Sequence, residues 1–291
     1  MPADFSAKSQ LPESFSECIY ILCNIRMEQI CGNFCICSDI PIDDLWGICY
    51  NFISVNNHMR TVIQVYEGKM KTTYINGRTC HIVVNDPALP AIYWGEMKDS
   101  SGTAEKVLAL CEDVKCNYII FEAEDWDDCF SPWELTLGKK KSFPGGGHKT
   151  LEWLINECVP CCENEYGLTG KRIICGYSLA GLFGLWAFYE SQYFSGVISC
   201  SGSLWFRDWI RYAEGHTAPA DSFVYLSLGD REEKARDKVM AAVGDCTRRQ
   251  YELVSSDKNV SRYILEWNQG GHFNEPEMRI AKGIKWCLNK K

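Results

Sequence analysis

The sequence predicts an α/β fold: a mostly parallel central sheet with helices on both faces and an antiparallel hairpin at its N-terminal edge. From residue 91 onward, short β-branched and aromatic runs alternate with helical patterns of ten or more residues, the signature of strands joined by crossover helices. Upstream, Asn76-Gly77 separates two strand-like runs, and that dipeptide suits the positive-φ positions of a type I′ hairpin turn. Over the 291 residues, 46% are hydrophobic and 23% charged, a balance that suits a packed globular chain and is too apolar for a disordered one.

The elements follow in order. Residues 61–66 read as a strand, and 71–75 and 79–84 form the hairpin around Asn76-Gly77. After Pro87 and Pro90 comes a short apolar strand, 91–94, ending at Gly95. A helix over 104–111 and a strand over 117–122 open the alternation, and an amphipathic helix spans 150–166. Next come a strand at 171–175, a helix at 180–190 and a strand at 196–200. The last third reads as strand 223–228, helix 232–243, strand 262–267 and a closing helix, 275–289. No internal repeat or low-complexity linker interrupts this pattern, so residues 59–291 form one domain.

Residues 1–58 have a different texture. They hold Cys18, Cys23, Cys31, Cys35, Cys37 and Cys49, six of the chain's 17 cysteines. Three readings are open: an accessory sheet or extension packed by small thiols, a zinc knuckle, or a stretch upstream of a true start at Met59. The spacing Cys31-x3-Cys35-x-Cys37 lacks the paired ligands of a usual zinc site. Met1–Gln10 has no apolar run behind a basic start, so it does not read as a secretory signal. Elsewhere cysteines sit within apolar runs, as Cys175 and Cys200 do, where a thiol acts as a small hydrophobe. That usage, odd in number and scattered, points to a reducing cytoplasm rather than a disulfide scaffold. A net charge of −8 argues against a nucleic-acid or anionic-membrane surface, and no apolar run approaches the roughly 18 residues of a membrane helix.

One segment carries chemistry. The run Arg172-Ile-Ile-Cys-Gly176-Tyr177-Ser178-Leu179-Ala180-Gly181 leads from a buried strand through Gly-x-Ser-x-Ala-Gly into an apolar helix. This is the strand–turn–helix context of a nucleophile elbow. The turn is so sharp that the positions two before and two after the serine must be small, as Gly176 and Ala180 are. The elbow lifts the Ser178 hydroxyl above the sheet at a helix N-terminus, where the dipole favours developing negative charge. The blander alternative is that Ser178 only caps the helix.

A nucleophilic serine needs a base and an acid, which in this topology follow it in the order acid, then histidine. Of the two later histidines, His216 sits in a polar loop with no strand before it. His272 follows a strand and Gly270-Gly271, which let the backbone turn toward the elbow. His272 is therefore the general base. The strand at 223–228 runs into Gly229-Asp230-Arg231-Glu232-Glu233, which offers three carboxylates. Many hydrolases place the acid three residues after the glycine that ends this strand, here Glu232, with Asp230 second and Glu233 third. Two backbone N–H groups would hold the oxyanion: Leu179, just after the nucleophile, and Glu96, just after strand 91–94.

With these motifs in place, residues 62–288 resemble the esterase family of α/β-hydrolases, the branch of esterase D (S-formylglutathione hydrolase) and the ferric-siderophore esterases related to enterobactin esterase. The resemblance rests on Gly176-Tyr-Ser-Leu-Ala-Gly181, Ser201-Gly-Ser203-Leu-Trp205, Gly229-Asp-Arg-Glu-Glu233 and Gly270-Gly-His272-Phe. Asp125-Trp126 to Ser131-Pro132-Trp133, followed by Pro144-Gly-Gly-Gly147, is similar to members of unknown substrate. Membership implies an α/β-hydrolase fold and hydrolysis of a small-molecule ester or thioester with no cofactor and no metal. Ala180 in place of glycine, Glu232 in place of aspartate and the unmatched segment 1–58 depart from the family pattern. Trp126, Trp133, Tyr177 and Trp205 are candidates for the substrate pocket, although with 10 tryptophans several must be core. Acyl transfer by the same triad, or binding without catalysis, are the rival functions.

Overall fold

The structure is a computed structural model, and it describes residues 48–55, 58–65, 68–99, 101–138 and 141–289. The chain divides between Trp46 and Gly47, and the first unit, with Cys31, Cys35 and Cys37, lies outside the described residues. Strands β1 (Ile48–Val55) and β2 (His58–Val65) pair antiparallel as a two-stranded sheet of their own.

Eight strands form the central sheet. They are β3 (Lys71–Ile75), β4 (Arg78–Val83), β5 (Ala91–Met97), β6 (Asn117–Ala123), β9 (Arg172–Tyr177), β10 (Gly196–Cys200), β11 (Ser222–Gly229) and β12 (Val260–Asn268). Their order is β12-β11-β10-β9-β5-β6-β4-β3. Every pair from β12 to β6 is parallel, while β4 pairs antiparallel with both β6 and β3. The hairpin turns at Asn76-Gly77, both at positive φ, as the dipeptide predicts. The small strands β7 (Leu135–Leu137) and β8 (Lys141–Phe143) pair apart from the main sheet.

β5, β9, β10 and β11 lie inside the sheet with helices on both sides, so their residues are nearly all buried. Alternate side chains divide the core in two. One half packs Tyr93, Ile174, Val197 and Val224 against α3 (Gly147–Trp153), α4 (Val159–Tyr166) and α5 (Ser178–Ser191), the first two joined by a π-helical turn, Leu154–Cys158. The other packs Trp94, Cys175, Ile198 and Tyr225 against α1 (Ser101–Leu110) and α9 (Pro276–Leu288).

Several stretches differ from the sequence reading. The expected helix over 232–243 is a 3-10 turn, Glu232–Lys234, then an extended step at Ala235 (ψ 147°) and the short helix α7 (Lys238–Ala241). A full helix, α8 (Val243–Ser256), follows where none was expected. The short helices α2 (Trp126–Cys129) and α6 (Trp209–Glu214) also escape the pattern, being too brief to show a period. Among the described residues, no helix is long and apolar enough to cross a membrane.

Candidate active site

The C-terminal ends of the parallel strands carry the chemical residues. β9 ends at Tyr177 and α5 starts at once, so Ser178 stands in the turn itself with φ +57°. A non-glycine residue in that region is strained by about 1 kcal/mol and persists only where its surroundings dictate it. The turn is tight: a Cβ at Gly176 would lie 2.2 Å from the carbonyl oxygen of Ala180. Ser178 does not cap the helix with its side chain. The cap position is Tyr177, without a side-chain bond, and the Ser178 hydroxyl turns instead to His272.

Ser178 Oγ is 2.9 Å from His272 Nε2, and His272 Nδ1 is 2.7 Å from Glu232 Oε2. Since a carboxylate only accepts, Nδ1–H donates to Glu232 and Nε2 is left to accept from the serine hydroxyl. His272 arrives on the loop after β12, where Gly270 takes φ +100°, and Glu232 on the turn after β11. The Glu232 side chain is 4% exposed and that of His272 31%, so the carboxylate is dry while the imidazole is open to a ligand.

The other oxygen of Glu232 is held as firmly. Oε1 accepts from the Gly229 N–H, the Ser201 hydroxyl and Arg279 Nη1, each at 2.8 Å. Burial alone would push the Glu232 carboxyl up; its bond to His272, the imidazole's charge, the Gly229 N–H and the Ser201 hydroxyl outweigh it and hold the carboxyl below its usual range. Arg279 also donates to the Gly271 carbonyl at 2.8 Å, to Ser201 Oγ at 2.8 Å and to the Tyr177 hydroxyl at 3.2 Å.

The other carboxylates of the turn have different partners. Asp230 is exposed, and its Oδ1 accepts the Gly270 N–H at 2.8 Å, which fixes the loop ahead of His272. Glu233 faces away and pairs with Arg248 at 2.7 Å. His216 stacks on Tyr212 with ring centroids 3.9 Å apart, outside this network.

Leu179 is the second residue of α5, in the turn where the N–H groups have no intrahelical acceptor. Glu96 lies one residue past Gly95, which is in register with Gly176 on β9, so the end of β5 flanks the elbow. Its carboxyl shares a sheet face with Trp94 and is pushed up to about 7 by burial, against the pull of the Met97 N–H. Of the pocket candidates, Tyr177 has its hydroxyl committed to the His272 carbonyl at 2.6 Å. Trp126 meets Phe130, whose ring lies against Gly95, at 4.9 Å between centroids. Trp205 and Trp133 flank Phe206 on the segment that follows Ser203. The Ser203 N–H donates to the Ser178 carbonyl at 3.0 Å.

Sequence reasoning missed Ser201, Ser203 and Arg279 as parts of this network. Arg279 had a visible signal: it falls on the buried stripe of α9 with Ile280, Gly283, Ile284 and Cys287, where a charge needs a partner. A groove of about 380 Å³, lined by Glu163, Arg172 and Tyr193 among others, lies at the opposite end of β9 and holds none of these residues. Among the described residues, no three His, Cys, Asp or Glu side chains gather as a metal site.

Comparisons place this geometry among known folds. A search of curated proteins finds no match. An IroE-like serine hydrolase from Shewanella oneidensis superposes with a TM-score of 0.65 at 13% identity, covering 76% of this chain and 80% of that one. The siderophore hydrolase EstA from Aspergillus nidulans gives 0.60 at 13% identity over 88% of this chain and 99% of its own. The enterobactin esterase FES from Shigella flexneri gives 0.55 at 14% identity, over 76% and 60%. These likenesses carry the α/β-hydrolase fold. The family model described as "Putative esterase" matches residues 86–276, from the turn before β5 to the start of α9, and the chain belongs to that family of ester hydrolases.

Proposed function

We propose that the protein hydrolyses a small-molecule carboxylic ester or thioester through an acyl-enzyme on Ser178. The observation that carries this reading is the unbroken chain Ser178 Oγ–His272–Glu232, with both links under 3 Å. As Ser178 Oγ attacks the ester carbonyl, its proton passes to His272 Nε2, and Glu232 holds the imidazolium by its Nδ1–H. The N–H groups of Leu179 and Glu96 receive the oxyanion. When the tetrahedral intermediate collapses, the C–O bond of an ester (C–S of a thioester) breaks and His272 returns the proton to the leaving alcohol or thiol. Water then attacks the acyl group by the same route and frees Ser178 as the acid departs.

Trp126, Trp133 and Trp205, each partly buried, supply apolar walls for the ester. No step draws on a cofactor. The cysteine usage, odd in number and scattered through apolar runs, supports a reducing cytoplasm as the compartment. The test is labelling of the purified protein with a fluorophosphonate probe, together with turnover of p-nitrophenyl acetate. Ser178→Ala is expected to abolish the label and to lower kcat by about 10⁴-fold or more with an unchanged melting curve. Equal labelling and turnover in that variant would refute the assignment.

A further inference from the structure

Arg279 is a formal cation that is 1% exposed, on the helix that follows the His272 loop. It reaches both the acid and the loop of the histidine. Nη1 sits 2.8 Å from Glu232 Oε1, on the oxygen that His272 does not use, and Nη2 sits 2.8 Å from the carbonyl of Gly271, the residue before His272. One rigid fork thus spans the two separately delivered segments, which only a planar guanidinium can do. We infer that Arg279 is a positioning residue of the proposed triad, bracing Glu232 against the His272 loop and keeping an added proton off the Glu232–His272 pair.

The inference rests on the triad reading above. The electrostatic part follows from sign. Protonating the pair leaves an imidazolium beside a carboxylate, and the fixed guanidinium opposes that second positive charge while it favours the ionised carboxylate. The groups facing the pair come from each neighbouring element. β9 contributes Tyr177, whose ring centroid is 5.5 Å from that of His272 and whose hydroxyl donates to the His272 carbonyl. β10 contributes Cys200, whose thiol donates to the Arg279 carbonyl at 3.4 Å, and α9 contributes Arg279. The turn itself adds Asp230, whose carboxylate is bonded to the Gly270 N–H. Arg279 is the one fixed cation in contact with Glu232 among the described residues. The acid limb of kcat/KM is the property to measure.

Full-length Arg279→Gln and Arg279→Lys are compared with the wild type by fluorophosphonate labelling, melting curves and pH profiles of p-nitrophenyl acetate hydrolysis. Gln removes the charge and keeps polar contacts; its acid limb is expected to move up by about one pH unit. Its kcat is expected to fall about tenfold or more with KM nearly unchanged. Lys keeps the charge at Glu232 but cannot also span to Gly271, so kcat falls while the acid limb stays within about 0.3 unit. A purely structural Arg279 would lower the melting midpoint and leave the limb in place; that result overturns the inference. Should Arg279→Gln fail to fold, a limb displaced in Arg279→Lys overturns it equally. An unlabelled Ser178 in the wild type overturns the triad reading itself, and a labelled serine with an unmoved limb overturns the role of Arg279 alone.

Discussion

Two carboxylates in one turn meet different partners, and the difference is measurable. Glu232 is buried against His272, Arg279, Ser201 and Gly229, whereas Asp230 is exposed and holds only the backbone of Gly270. Glu232→Gln keeps the shape but cannot hold the imidazole as an ion would, and kcat for p-nitrophenyl acetate is expected to fall by about 10³ to 10⁴. Asp230→Asn retains an acceptor for the Gly270 N–H, so kcat stays within about threefold and stability within about 1 kcal/mol. Steady-state kinetics and thermal melts on the two variants check the pair; a larger loss at Asp230 would exchange their roles. The preference for Glu232 over Asp230 and Glu233 could be read only from its offset of three after Gly229, a spacing shared by many hydrolases, not from anything local to the turn. The ring of donors around Oε1 could not, since Ser201 and Arg279 lie 31 and 47 residues away in the chain.

At the scale of elements, the elbow was legible because steric demand there is absolute. Gly176 precedes Ser178 by two, and the space a side chain would need is occupied by the Ala180 backbone. Gly176→Ala is therefore expected to destabilise the protein by about 3 kcal/mol, read as a lower urea midpoint, because backbone rather than a flexible side-chain tip must move. The segment after Glu232 was misread for the opposite reason. Residues 232–243 are rich in helix formers, yet Glu232 must face His272, and Asp237 restarts a helix by accepting the N–H groups of Val239 and Met240. Tertiary geometry at the acid turn overrides local propensity, and the chain recovers its helix only from Val243. The edge hairpin was easier, because Asn76-Gly77 sets its own turn.

For the molecule as a whole, strand alternation revealed a parallel sheet but not its order, which depends on contacts between strands far apart in sequence. The sheet gathers the ends of β5, β9, β11 and β12 at one rim, and the three side chains of the triad reading come from three of those junctions. The thiols are a property of this whole packing. Within residues 68–289 every cysteine is free; Cys161 and Cys246 are half-buried and the others buried. Burial pushes the thiols of Cys116 and Cys200 up to about 12, which leaves almost no thiolate near neutral pH. Within residues 68–289, iodoacetamide on the native protein is expected to modify Cys161 and Cys246 first, and the others only once the chain is denatured. Peptide mapping before and after urea checks this; early modification of Cys175 or Cys200 would contradict the packing.

The left-handed backbone at Ser178 has a further consequence. A residue without a Cβ adopts that geometry freely, so a glycine there should relax the chain by about 1 kcal/mol, whereas alanine should not. The Ser178→Gly protein, expected on the triad reading to lose ester hydrolysis, is also expected to melt above both the wild type and Ser178→Ala in calorimetry. Natural selection at this one position would be holding toughness below what the scaffold permits, in exchange for reactivity.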